Sequence, residues 1–119
     1  TRTSICHSIS YPLTLETGIP HGLACAFSMI AVYEFNLSNI NNSISIIGEQ
    51  INGDPLDKIK NIFNELKVHE QIKKYIDKNS AIDLMDKMIT AGRFDNNIIP
   101  VTNQNLHEII VNSEKYLYE

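Results

Sequence analysis

The chain of 119 residues has no tryptophan, only two cysteines and a small aromatic content of 8%. It also lacks any run of lysine and arginine, and its formal net charge is −4. Nucleic-acid binding depends on a basic surface, so nucleic acid is excluded as the expected partner. Cys6 and Cys25 form no C-x-x-C motif and are expected to be reduced thiols, which favours a cytoplasmic protein.

Long hydrophobic segments and glycine-rich loops are missing as well. The longest apolar run, residues 23–35, is too short to cross a bilayer and contains Glu34, so it predicts a buried helix and no membrane partner. No parallel-sheet or glycine-rich nucleotide-binding pattern is present. The sequence starts at Thr1 without a methionine or targeting segment, as expected of a fragment that begins inside a helix.

Apolar residues at helical spacing dominate the first part of the chain. Ile5, Ile9 and Leu13 predict one face of a helix over residues 3–17, in which Pro12 favours a kink or an early end and Gly18 a stop. A second helix, apolar nearly all round, is predicted from the Pro20-His21-Gly22 segment to about residue 36.

The middle of the chain is less clearly patterned. The composition of residues 36–42 indicates a loop. Residues 43–50 fit a strand or a helix, and helix is preferred because no second strand could pair with them. Asp54, followed by Pro55, predicts the start of a well-defined helix.

The remaining segments are also predicted to be helical. A short helix is expected over residues 70–77. Ser80 and Asp83 resemble a capping box for a helix that ends at Gly92. A loop over residues 93–101 then leads to a last helix capped by Thr102. Residues 1–119 therefore predict one all-α domain of six or seven helices.

Two histidines, His7 and His21, flank the Gly-Ile-Pro reversal between the first two helices. The turn would bring both rings together, and imidazole is a common ligand of divalent metals. The alternative to metal binding is that each histidine is an ordinary hydrogen-bonded residue, as is common beside a cysteine on an apolar helix. The absence of a compact metal motif such as H-E-x-x-H favours this alternative. His69 and His107 lie among charged neighbours and are interpreted as surface residues, and Cys6 and Cys25 as small buried apolar residues.

Motifs near both ends resemble the C-terminal domain of the iron-containing (group III) alcohol dehydrogenases. Residues 7–13 read HSISYPL, residues 20–26 read PHGLACA, and Asn36 closes the segment. Residues 92–102, GRFDNNIIPVT, are similar to the closing segment of that family. The resemblance implies the dehydroquinate synthase-like helical domain.

The resemblance also implies the chemistry of a two-domain enzyme. An N-terminal domain, absent from this sequence, would bind NAD(P), and the metal would be Fe²⁺, with Zn²⁺ as a substitute. His7 and His21 match the last two of one Asp and three His ligands. The substrate would be a small alcohol or aldehyde, the enzyme is expected to be a homodimer, and the isolated chain is expected to be inactive.

Two positions depart from the family pattern. Tyr11 stands where many members have a histidine near the substrate; as a candidate catalytic residue it could donate a hydrogen bond or relay a proton, or it could only line the pocket. Ile30 replaces a common proline. The combination of residues 7–14 with residues 18–22 resembles members associated with phosphonoacetaldehyde reduction.

Two other classes of protein remain open. The chain could be a non-catalytic helical interaction domain with a structural histidine pair. It could instead be a zinc-dependent relative of the glycerol dehydrogenase or dehydroquinate synthase type, although the residues around His21 and the Asn-Asn tail speak against that branch.

Overall fold

The computed structural model describes residues 5–90 and 100–118, apart from the side chains of residues 38–42 and 90. Every regular element in this part of the chain is a helix, which confirms the all-α prediction. The elements are α1 (Ile5–Thr17), α2 (His21–Ile51), α3 (Pro55–Glu65), α4 (Val68–Lys73), a 3₁₀ turn (Ile82–Leu84), α5 (Met85–Thr90) and α6 (Asn103–Tyr118). None of the described helices is long and apolar enough to cross a membrane.

The core is centred on the packing of α1 and α6 against the N-terminal half of α2. Ile5, Ile9 and Leu13 are fully buried on α1, as their spacing predicted. Pro12 is accommodated inside α1, which continues to Thr17, so the early end that it favoured does not occur. The buried apolar residues of the other helices are Ala24, Phe27, Ile30, Ala31, Val32, Val68, Ile72, Met88, Leu106, Ile109, Ile110 and Leu117.

Helix α2 is much longer than its sequence suggested. The loop predicted for residues 36–42 is wrong: the helix runs unbroken over 31 residues to Ile51. The sequence has no proline in this stretch, and its apolar residues at 37, 40, 44, 47 and 51 keep a helical spacing. Asparagine disfavours a helix by less than about 1 kcal/mol per residue, which is too little to stop one that is already packed.

Helices α3 and α6 begin at the capping residues that the sequence predicted. The carboxylate of Asp54 accepts a hydrogen bond of 3.1 Å from the backbone N–H of Leu56, and Pro55 opens α3. At α6, Oγ1 of Thr102 accepts from the N–H of Asn105 at 3.1 Å, while Oδ1 of Asn105 accepts from the N–H of Thr102 at 3.0 Å. This reciprocal pair is a capping box formed with asparagine.

The capping box predicted for Ser80 and Asp83 does not form. The Ser80 hydroxyl donates to the carbonyl oxygen of Asp77 at 2.7 Å, and the following helical turn begins at Ile82. The short helix before it also ends earlier than predicted, at Lys73. The expected stop at Gly92 and the loop over residues 93–101 lie largely outside the described residues.

A buried carboxylate on α6 stabilises the turn before α5, where the predicted capping box does not form. Glu114 is 7% exposed, and its two oxygens accept hydrogen bonds from the backbone N–H groups of Asn79 and Ala81, at 2.7 and 3.1 Å. Asn79 has a positive φ of 67°, which asparagine tolerates better than most residues. Glu114 therefore holds the turn that precedes α5 against the last helix.

Replacing Glu114 by alanine should lower the free energy of unfolding by about 2 kcal/mol, because the N–H of the buried Ala81 would lose its acceptor. Urea unfolding followed by circular dichroism measures the change. Glu108→Ala, at an exposed position of the same helix, should change stability by less than about 0.5 kcal/mol. Equal effects of the two substitutions would contradict the role assigned to Glu114.

A second polar contact joins α2 to α6. The Tyr116 hydroxyl donates to the carboxylate of Glu34, with both oxygens at 2.6 Å. Burial, together with the hydrogen bond to Glu34 and its negative charge, raises the pKa of Tyr116 to about 12. The protonated phenol is therefore favoured in the folded chain.

The pKa of Tyr116 is about 10 in the unfolded chain and about 12 in the folded chain. Between these pH values the unfolded chain has lost the proton and the folded chain still holds it. The free energy of unfolding should therefore fall as the pH rises from about 10 to about 12. A tyrosinate absorbance titration should show a late step that Tyr116→Phe removes. Glu34→Gln should shift that step to lower pH. An unchanged titration in Glu34→Gln would contradict the assignment.

Candidate metal centre

The reversal between α1 and α2 depends on one glycine. Gly18 has φ of +75°, and its N–H donates to the carbonyl of Thr14 at 3.0 Å, which closes the end of α1. Ile19 is fully buried and anchors the turn in the core. Pro20 then precedes His21, the first residue of α2, so that α2 begins beside the flank of α1.

This reversal brings the predicted histidines together. The ring centroids of His7 and His21 are 5.3 Å apart. Tyr11 lies one turn after His7 on α1, and its ring stacks on that of His21 at 5.6 Å with an interplanar angle of 15°. The two imidazole rings therefore lie side by side, as predicted. Their role as metal ligands stays a prediction.

A third donor that was not predicted joins the histidine pair. Cys25 was interpreted as a small buried apolar residue, but it is only partly buried, and its Sγ lies 3.6 Å from Nε2 of His21. One donor atom from each of His7, His21 and Cys25 can be chosen so that all three lie within 4.8 Å of one another. The signal was present in the sequence, because residues four apart on a helix share a face.

The surroundings of this group differ on its two sides. Toward the core, burial raises the pKa of the Cys6 thiol, which keeps that cysteine protonated. Toward solvent, His21 and Gly22 are exposed, and a Cβ added to Gly22 would meet no atom within 4 Å. The donor group is therefore open on the side of the α2 N-terminus, where an ion or a substrate could approach.

The other two histidines take no part in this group. His107 is exposed on α6, as predicted. His69 is less exposed than predicted: it packs edge-on against Phe63, with 5.8 Å between the ring centroids, and burial, followed by the charge of Lys73, lowers its pKa. Within the described residues, His7, His21 and Cys25 are the group of His, Cys, Asp and Glu side chains placed to hold a metal ion.

The sequence of this chain matches one known protein family. Residues 1–113 match the family model described as the C-terminal part of the Fe-containing alcohol dehydrogenase family. The match covers nearly the whole chain. The chain therefore belongs to the Fe-containing alcohol dehydrogenase family, whose name implies iron as the metal.

One relative of known identity is similar over a short stretch. A phosphonoacetaldehyde reductase from Streptomyces viridochromogenes is 49% identical over 35 residues, which are 29% of this chain and 9% of the relative. The matched stretch thus spans less than a tenth of the relative's length. No solved structure matches the chain.

Substituting alanine for Gly18 tests the reversal that positions His21. A positive φ costs an alanine about 1 kcal/mol or more, so Gly18→Ala should lower the free energy of unfolding by that amount. Gly22 has no such φ and lies inside α2 with open space around it, so Gly22→Ala should leave stability unchanged or raise it by up to about 1 kcal/mol. Thermal unfolding of both variants measures the difference, and a destabilisation by Gly22→Ala alone would contradict it.

Proposed function

We propose that this chain is the metal-binding helical domain of an NAD(P)-dependent alcohol dehydrogenase or aldehyde reductase, with His7 and His21 as two of its metal ligands. The observation that supports this most directly is the 5.3 Å separation of the two rings in a chain of the Fe-containing alcohol dehydrogenase family. The donor chemistry fits a divalent ion, because imidazole suits iron and zinc alike. Fe²⁺ is the proposed ion, and Zn²⁺ a substitute.

The residues around the site have distinct tasks in this proposal. When bound, the metal would supply a Lewis acid for the substrate oxygen and the nicotinamide a hydride acceptor or donor. Tyr11 orients the imidazole of His21 by stacking on it. The Tyr11 phenol is the proposed hydrogen-bond donor to the substrate oxygen, although a role limited to lining the pocket fits the same stacking.

Partners follow from what the proposed reaction requires. We propose that an N-terminal domain of the same polypeptide binds NAD(P) and supplies the remaining metal ligands, and that the whole enzyme is a cytoplasmic homodimer. On this proposal the 119-residue chain alone does not reduce aldehydes. A small alcohol or aldehyde is the proposed substrate, and the similarity to a phosphonoacetaldehyde reductase makes phosphonoacetaldehyde the first compound to test.

His7→Ala and His21→Ala, made in the full-length enzyme, should each lower iron content and NAD(P)H-dependent aldehyde reduction by more than about 100-fold. Even substitutions of residues that only support a ligand cost 10- to 100-fold in metal affinity or activity. Elemental analysis and the rate of NAD(P)H oxidation with a panel of aldehydes, including phosphonoacetaldehyde, measure the two effects.

The matched control is His107→Ala, because His107 is exposed on α6 and lies outside the donor group. It should leave metal content and rate unchanged. Full iron content and full activity in both His7→Ala and His21→Ala would contradict the proposed function and favour a helical interaction domain with a structural histidine pair.

A further inference from the structure

We propose that Cys25 is a third metal donor, and that in the 119-residue chain alone, where the donors proposed for the N-terminal domain are missing, it forms with His7 and His21 a site that takes thiophilic divalent ions, such as Zn²⁺ or Co²⁺. This inference rests on the proposed function, because it assumes that the two histidines face an ion. It goes further by adding a thiolate ligand and a choice of metal. The 4.8 Å limit on the separations of the three donor atoms is the observation that carries it.

The distance between Cys25 and His21 is that of two ligands of one ion. In a tetrahedral zinc site, a Zn–S bond of about 2.3 Å and a Zn–N bond of about 2.0 Å place sulfur and nitrogen about 3.5 Å apart. The observed separation of Sγ and Nε2 is 3.6 Å. An ion could therefore bind both atoms with hardly any movement of the two side chains.

The His7 side chain would have to move further than those of His21 and Cys25 to reach the same ion. The donor atom of His7 lies within 4.8 Å of the other two, whereas two nitrogen ligands of one tetrahedral ion, each bonded at about 2.0 Å, are about 3.3 Å apart. His7 is on α1 and only partly buried, so rotation of its side chain can close this gap. Its neighbour Tyr11, stacked on His21, limits the space into which the imidazole can turn away.

Cys6 does not compete for this role. It is next to His7 in the sequence but is not one of the residues of the donor group. Cys25 lies on the same face of α2 as the exposed His21, one helical turn along. The two cysteines therefore offer a matched comparison between a thiol in the site and a thiol beside it.

A sulfur donor changes the preference among metals. Binding replaces the Cys25 S–H bond by a sulfur–metal bond and releases one proton to solvent for each ion bound. Thiolate is a soft ligand that favours zinc and cobalt, and Fe²⁺ stands below Co²⁺ in the general order of affinities. With three donors from the chain, a water molecule would complete a four-coordinate site.

Titration of the reduced 119-residue chain with Co²⁺ tests the proposal, since cobalt reports its ligands by absorption. The wild-type chain should show a thiolate-to-cobalt charge-transfer band in the near ultraviolet and visible bands typical of four-coordinate cobalt. Cys25→Ser should lose the charge-transfer band and bind cobalt more than about 10-fold more weakly. Cys6→Ser should retain both features, and Zn²⁺ should displace the cobalt more effectively than Fe²⁺ does.

The remaining outcomes separate this proposal from the function proposed above. If the wild-type chain shows no charge-transfer band, or if Cys25→Ser binds cobalt as tightly as the wild type, Cys25 is not a ligand. Loss of the visible bands only in His7→Ala and His21→Ala would then leave the histidine pair as the metal site. Unchanged cobalt spectra in all of these variants, with circular dichroism showing intact helices, would overturn both proposals for this chain.

Discussion

The packing of α1 on α2 is the constraint on which the rest of the structure depends. It is set by the left-handed backbone of Gly18 and by the burial of Ile19 directly after it. The same packing forms the centre of the core, through the apolar stripe of α1, and brings the side chains at the open edge of the two helices together. Stability and the donor group are thus two results of one contact between helices.

Sequence reasoning was most successful where the signals were local. The starts of α3 and α6 follow from Asp54 and Thr102, each of which satisfies backbone N–H groups within its own first turn. The histidine pair was also within reach, because a glycine and a proline around a short turn leave few ways to connect two helices. These predictions needed no knowledge of distant parts of the chain.

The errors came from contacts that span the sequence. The turn before α5 is held by Glu114, more than thirty residues away, which no local capping pattern could reveal. The unbroken course of α2 depends on the sum of its propensities and packing, so a cluster of asparagines misled the prediction. Cys25 was missed for a different reason: its spacing from His21 was visible, but a lone cysteine on an apolar helix is usually a packing residue.

The distribution of the three donor side chains over the helices has an energetic consequence. His21 and Cys25 belong to one rigid helix, whereas His7 belongs to its neighbour. An ion bound by all three would therefore act as a crosslink between α1 and α2. By mass action, it would stabilise the folded chain in proportion to the logarithm of its free concentration, so metal supply and resistance to unfolding would be thermodynamically linked.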